Sequence, residues 1–251
     1  MPAFTANDYN RRNIRTVISV LAFILLNTFL YQKALADSTQ IIYRVDIHQE
    51  IDPSSARILN RAIEEAEAQN AKYLLLDLDT YGGLVNSADE MRTALLKTDL
   101  ITLVYIRNNA ASAGALISIA CDSIYMSPGS TIGAASVVYQ DGKLAPDKMQ
   151  SYMKGKMEAT AKATGRNPLY AIAMVGSDTT LPGIIDSGRV LTFDVSDAIK
   201  YGYSNAEANS LEDVYPMLNL SDYKVIEHKI SPLESIINLL VKPAVSGILL
   251  L

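Results

Sequence analysis

The sequence predicts an α/β domain in which a mainly parallel sheet is flanked by helices, with an N-terminal signal before it and a C-terminal apolar segment after it. Three observations carry this expectation. Apolar runs of strand length alternate with amphipathic runs of helix length. Runs such as YLLLDL are nearly continuous in apolar residues, as strands covered on both faces are. With 49% hydrophobic and 20% charged residues over 251 positions, the chain can bury a sizeable core in one main domain.

The elements follow in order. IIYRVDI (41–47) reads as a strand, and 54–71 as an amphipathic helix with Pro53-Ser54-Ser55 at its start. KYLLLDLD (72–79) is a strand that runs into Gly82-Gly83, and a helix follows through 87–98. LITLVYI (100–106) is the next strand, ASAGALISIA (111–120) a helix, and SIYM (123–126) a short strand closed by Ser-Pro-Gly. A longer helix spans 144–164 and stops at Gly165, and a short one covers 168–175. VLTF, DVSDAIKYG, LEDVYPML and YKVIEHK complete the body.

Residues 1–36 read as a secretory signal: RRNIR, then an apolar run of about 15 residues, short of the ~20 a spanning helix needs, then Ala34-Leu35-Ala36 as a small-x-small cleavage pattern. An uncleaved anchor is the alternative, and either way the body is exported. From Ile230 the chain becomes apolar again, through Ile236, Ile237, Leu239, Leu240 and Val241 and past Pro243 to Leu251. That stretch reads as the entry to a membrane segment, or else as an interfacial helix.

Charge excludes one large class. The formal net charge is −5, and residues 1–36 hold Arg11, Arg12, Arg15 and Lys33 against Asp8 alone. The remainder therefore has 18 basic and 26 acidic residues, a net −8 that phosphate backbones repel, so no nucleic-acid partner is expected. Cys121, the single cysteine, rules out an internal disulfide and reads as a buried, inert thiol. No CxxC, HExxH or phosphate loop is visible, so neither a metal nor another cofactor is expected.

The residues that carry chemistry are Gly82-Gly83 and Ser112. Acyl transfer needs an accessible hydroxyl and backbone N–H groups free to hold an oxyanion. Two glycines after a buried strand present bare amides, and Ser112 stands at the mouth of an apolar helix. A serine also needs a base. His48 and His228 are the only histidines, and neither sits at a turn or helix start that would aim it. A lysine serves if its pKa falls from about 10.4 to ~7–8, at a cost on the order of 4 kcal/mol. In DKMQSYMKGKMEATAKATG, Asp147, Ser151, Lys154, Glu158 and Lys162 form a polar stripe, with Lys154 and Glu158 an i,i+4 pair. Lys148 lies off that stripe, in the first turn, in line with Tyr152, Gly155 and Ala159. Lys156, which shares a face with Met149 and Met153, is its rival.

Taken together, DTYGG, AASAGALIS, SPGSTIGAAS and the GRNP turn resemble membrane-associated serine proteases of the NfeD family, relatives of the Clp protease and signal-peptide peptidase A. The similarity covers about residues 40–205. It implies a ClpP/crotonase-like fold over 37–229, with 1–36 as signal and 230–251 as a truncated juxtamembrane segment. It implies a Ser–Lys dyad of Ser112 and Lys148, the lysine standing 17 residues before Gly165. Gly83 and Ala113 are the implied oxyanion donors, with Gly82 shaping the turn. Tyr81 stands where many members have proline, which frees φ there.

The resemblance further implies an ATP-independent serine endopeptidase at the periplasmic, extracytoplasmic face of the bacterial inner membrane. Its expected substrates are hydrophobic segments of membrane proteins, notably stomatin-like partners, and it is expected to self-associate as a dimer or larger. The apolar loop 135–145 either lines a cleft for such segments or packs the core. Two other functions stay open: a catalytically silent scaffold that binds a stomatin-like protein, and an acyl-CoA enzyme of crotonase type.

Overall fold

The computed structural model describes residues 19–24, 27, 39–139 and 141–230. Most of the expected signal and nearly all of the C-terminal apolar segment lie outside them. No helix among the described residues is long and apolar enough to cross a membrane. Contacts divide the chain into two units. In the first, Met1–Gln40 with Ser221–Tyr223, the Gln40 N–H donates to the Asp222 carbonyl at 3.1 Å. The second, Ile41–Leu220 with Lys224–Leu251, contains the core and the candidate site.

The strands are β1 (Gln40–Ile47), β2 (Tyr73–Thr80), β3 (Ile101–Ala111), β4 (Ser123–Met126), β5 (Thr131–Gly133), β6 (Thr192–Asp194), β7 (Ala206–Glu207) and β8 (Tyr223–Glu227). The helices are α1 (Pro53–Ala68), α2 (Val85–Lys97), α3 (Ala113–Ile119), α4 (Asp147–Ala163), α5 (Pro168–Ala173), α6 (Val195–Lys200) and α7 (Val214–Met217). The main path of the sheet runs β6-β5-β3-β2-β1-β8, with β4 beside β3 and β7 beside β4. β1, β2, β3, β4, β5 and β7 pair in parallel, and β5 with β6 antiparallel. This is the mainly parallel sheet that the sequence predicts.

β2 is covered on both sides. Leu74, Leu76 and Leu78 join the larger core with residues of α1 to α4, while Tyr73 and Leu75 join Leu103, Tyr105, Tyr125 and the Leu211–Tyr215 region on the other face. The period of two along a strand divides these sets. α1 starts at Pro53 and is capped by Asp52, the residue before it. Its carboxylate accepts from the Ser55 N–H at 2.8 Å and the Ser55 hydroxyl accepts from the Asp52 N–H at 2.9 Å.

β3 is longer than its apolar run. Its first half pairs with β4, Leu103 to Ile106 against Ser123 to Met126, and its last residues, Asn109 to Ala111, pair with β5. Between these halves the β2–β3 register jumps from Leu78↔Ile106 to Thr80↔Ala110. The irregularity carries β3 up to Ser112 and turns the chain toward the second half of the sheet.

Candidate active site

Ser112 occupies the N-cap of α3 with φ 55° and ψ −115°. A serine pays a conformational penalty there, on the order of 1–3 kcal/mol, because L residues disfavour positive φ. The surroundings enforce it. Ser112 N–H donates to the Gly133 carbonyl at 2.9 Å, and the Ser112 carbonyl accepts from Ala115 N–H at 3.0 Å. Gly114 rests on β2, where an added Cβ would meet Thr80 Cγ2 at 2.7 Å. The bent backbone holds the hydroxyl half-exposed at the end of β3, ahead of a fully buried helix.

The glycine turn lies directly beneath that hydroxyl. A Cβ on Gly82 would stand 2.6 Å from Ser112 Cβ and 3.1 Å from Oγ. A Cβ on Gly83 would stand 2.2 Å from the Ile51 carbonyl oxygen. Both glycines have positive φ, 120° and 152°, so steric room and conformation each require them. Thr80 braces the turn: its hydroxyl accepts from Gly82 N–H at 3.1 Å and donates to the Gly82 carbonyl at 3.2 Å. Ile51 bridges to Gly83 in parallel, through Ile51 N–H to the Gly82 carbonyl and Leu84 N–H to the Ile51 carbonyl. Such a bridge uses the groups on either side of Gly83, so the Gly83 N–H itself turns away from Ile51. Among the described residues neither the Gly83 N–H nor the Ala113 N–H has a protein acceptor. The unused donors thus belong to the residues that follow Gly82 and Ser112 in the chain.

The lysines of α4 sort themselves by their partners. Lys156 Nζ lies 2.8 Å from Asp89 Oδ2, and this hydrogen bond raises its pKa above the ordinary lysine value. A lysine so held is disfavoured as a base. Lys162 pairs with Glu158 at 2.6 Å. Lys154 does not pair with Glu158, as its spacing predicts, but with Asp178 at 2.6 Å, across Gly176. A Cβ at Gly176 would meet Lys154 Nζ at 2.4 Å, so the bare backbone gives that ion pair its seat. Lys148 alone of the four is uncommitted: it is exposed in the first turn of α4, with no hydrogen bond or ion pair among the described residues. The structure thus brings Gly82, Gly83, Ser112 and Ala113 together and does not join Lys148 to them by a hydrogen bond.

The histidines correct the sequence reading. His228, read as unaimed, has a side chain only 2% exposed, its Nδ1 3.2 Å from Glu65 and 3.3 Å from the Tyr43 hydroxyl. His48, read as unaimed, lines a pocket of about 460 Å³ together with Asp79, Thr80, Tyr81, Gly82 and Gly83. Its Nε2 lies 3.1 Å from Asp77 Oδ1. Asp77 is fully buried and also takes Arg44 and Arg107, each through a guanidinium. Ligand atoms of Asp46, His48 and Asp77 fall within 4.8 Å of one another, yet the two guanidiniums already neutralise that carboxylate and disfavour a cation there. Alternation along β2 places Asp77 opposite Leu76 and Leu78, a pattern that could have shown a buried charge on the second face.

Apolar groups near the site divide. Ala113, Ala115, Leu116, Ala135, Val137 and Ala145 pack the core, whereas Val138, Tyr139 and Leu144 are exposed. Cys121 is fully buried and burial pushes its thiol up to about 12, in line with an inert group.

Comparison with known proteins places this arrangement. Membrane protein NfeD1b of Bacillus subtilis is 31% identical over 92% of this chain and 53% of its own length. Membrane-bound protease PH1510 of Pyrococcus horikoshii is 25% identical over 92% of this chain and 55% of its own length. The chain thus spans about half the length of the curated relatives it matches. Among solved structures, the 1510-N membrane-bound stomatin-specific protease, as a lysine-to-alanine variant with a substrate peptide, superposes with a TM-score of 0.69 at 23% identity, covering 80% of this chain and 97% of that one. ClpP1 of Listeria monocytogenes gives 0.52 at 19% identity, over 67% and 92%. These likenesses establish a ClpP-like fold. The model of the NfeD1b N-terminal domain matches residues 41–228, and the chain belongs to that family.

Proposed function

We propose that this domain is an ATP-independent serine endopeptidase in which Ser112 is the nucleophile and Lys148 the general base. One observation carries the reading: a hydroxyl held on strained backbone over a glycine turn, next to residues whose N–H groups have no acceptor among the described residues. Strain of this kind persists where it aims a reactive group.

In the acylation step Lys148, neutral, takes the Ser112 proton as Oγ attacks the peptide carbonyl. The negative charge that forms on the carbonyl oxygen is held by the Gly83 and Ala113 N–H groups. Lys148 then gives its proton to the leaving amine, and water attacks the acyl-enzyme by the same route in reverse. Support for Lys148 comes by elimination within α4, where Lys154, Lys156 and Lys162 are each held by a carboxylate. Catalytic hydrogen bonds are often loose without substrate and tighten only when it is bound. Relatives named as a membrane-bound protease and solved as serine and lysine variants support the same pair.

The substrates we infer are hydrophobic segments of membrane proteins, with a stomatin-like partner as the first to test, because a relative is a stomatin-specific protease. Val138, Tyr139 and Leu144 offer an exposed apolar surface for such a segment. We infer further that the domain works as a homo-oligomer at the extracytoplasmic membrane surface, consistent with the signal-like leader and apolar tail.

His48 supplies the rival base, since it borders the glycine turn and is oriented by Asp77. Purified protein should cleave apolar fluorogenic peptides. Ser112→Ala should abolish cleavage, and Lys148→Ala should lower it by roughly 10²–10⁴-fold. His48→Gln should stay within a few-fold of the parent. An inactive His48→Gln beside an active Lys148→Ala would transfer the base to His48. A parent that binds such peptides without cleaving them would favour the scaffold.

A further inference from the structure

Gln150 stands in α4 two residues after Lys148, and its amide is engaged as a backbone group would be. Its Oε1 accepts from the Val137 N–H at 3.0 Å, and its Nε2 donates to the Val137 carbonyl at 2.7 Å and to the Ala145 carbonyl at 3.2 Å. Ala145 N–H donates to the same Val137 carbonyl at 2.9 Å. One side chain thus closes both ends of the loop 137–145 and fastens them to the first turns of α4. Within the loop, Tyr139 N–H donates to the Lys143 carbonyl at 2.8 Å, and Val138 bridges Leu144.

The other end of this connection is the nucleophile. Ser112 N–H is bound to the Gly133 carbonyl, Ala134 N–H to the Leu191 carbonyl at 3.0 Å, and Ala135 N–H to the Met174 carbonyl at 2.5 Å. The Ser136 hydroxyl donates to the Val175 carbonyl at 2.7 Å. A fixed strap, 133–137, therefore begins at Ser112 and ends in the grip of Gln150. α4 needs this grip, because Pro146 at its N-cap makes no side-chain cap and the first turn carrying Lys148 is otherwise exposed.

We propose that Gln150 is a positioning residue that sets the distance between Lys148 and Ser112, by locking the start of α4 to the strap that holds the nucleophile. The inference rests on Lys148 acting as the base. Other charges around this turn are accounted for: Asp141 pairs with Lys143, Asp178 pairs with Lys154, and Asp147 is exposed beside Lys148. Without the clamp the first turn frays outward and carries the amine away from Ser112.

The test compares the parent chain with Gln150→Met, of similar length and apolar, and Gln150→Glu, which keeps the acceptor but turns a carboxylate against two carbonyls. Circular dichroism first establishes that each variant is folded. Peptide cleavage and labelling of Ser112 by a fluorophosphonate are then followed. Both variants should lose kcat by roughly 10–100-fold with KM changed less than about threefold. In Gln150→Met labelling of Ser112 should slow by about the same factor as kcat, since both need the amine within reach of the hydroxyl. Lower peptide cleavage with labelling of Ser112 as fast as in the parent, or a raised KM alone, would reduce Gln150 to a structural residue and overturn the proposal. A parent that is labelled and loses labelling in Lys148→Ala, beside a Gln150→Met that behaves as the parent, sinks the role of Gln150 and spares the dyad. A parent that is neither labelled nor active sinks both.

Discussion

Around Ser112 the backbone leaves almost no freedom, whereas the Lys148 side chain is exposed and has no partner among the described residues. Ser112 is fixed by two glycines that admit no side chain, a positive φ, and backbone hydrogen bonds to Gly133 and to its own helix. Lys148, the base we propose, sits on a flexible stem at a helix start without a side-chain cap, beside the glutamine amide that fastens the loop before it. Charge stabilisation tolerates little movement, so its donors belong on rigid main chain. Proton transfer needs an amine that can approach and withdraw.

If that contrast is right, the rigid half should break first and hardest. Gly83→Ala pushes a methyl into the Ile51 carbonyl at φ 152° and should cost about 3 kcal/mol or more of stability by urea unfolding. A loss under about 1 kcal/mol would mean that the turn yields.

Next comes the strain itself. Ser112→Gly should abolish hydrolysis yet raise stability by about 1 kcal/mol, since glycine adopts positive φ without penalty. Ser112→Ala should gain nothing, because alanine keeps the disfavoured conformation. Equal stability of the two would show that position 112 is relaxed.

The smallest effect lies on the helix bearing the base. Lys156→Met should cost about 0.5–1 kcal/mol and leave cleavage intact. Its sign with pH is fixed: Asp89 raises the folded pKa of Lys156, so the stabilisation is whole below the ordinary lysine value and fades as pH climbs through the raised one. Parent and variant should therefore converge in alkali. A loss of cleavage in Lys156→Met would return Lys156 to candidacy and blur the division.

Legibility in the sequence followed the same contrast. β1, β2 and β4 stand within a residue or two of their apolar runs, because burial on both faces writes itself as continuous hydrophobicity. β5 and β6, three residues each, are too short for any period to register. The end of β3 was hidden for another reason. Arg107, Asn108 and Asn109 look like a loop, but they extend the strand by bonding to Asp77 and Asp79 on β2. Gly82, Gly83 and Ser112 were readable because conformation and sterics act locally. The partners of Lys154 and Lys156 were not, since Asp178 and Asp89 are 24 and 67 residues away along the chain. The pocket position of His48 was hidden likewise, depending on strand ends that meet only in space.

β3 changes neighbour halfway along its length, from β4 to β5. The outer ribbon of β4 and β7 thus never touches the segment that Ser112 hangs from. Alterations around Tyr125 and Ala206 can loosen the far margin of the sheet while the hydroxyl keeps its address, so that margin is where this architecture can vary, lengthen or acquire new contacts without disturbing its chemistry.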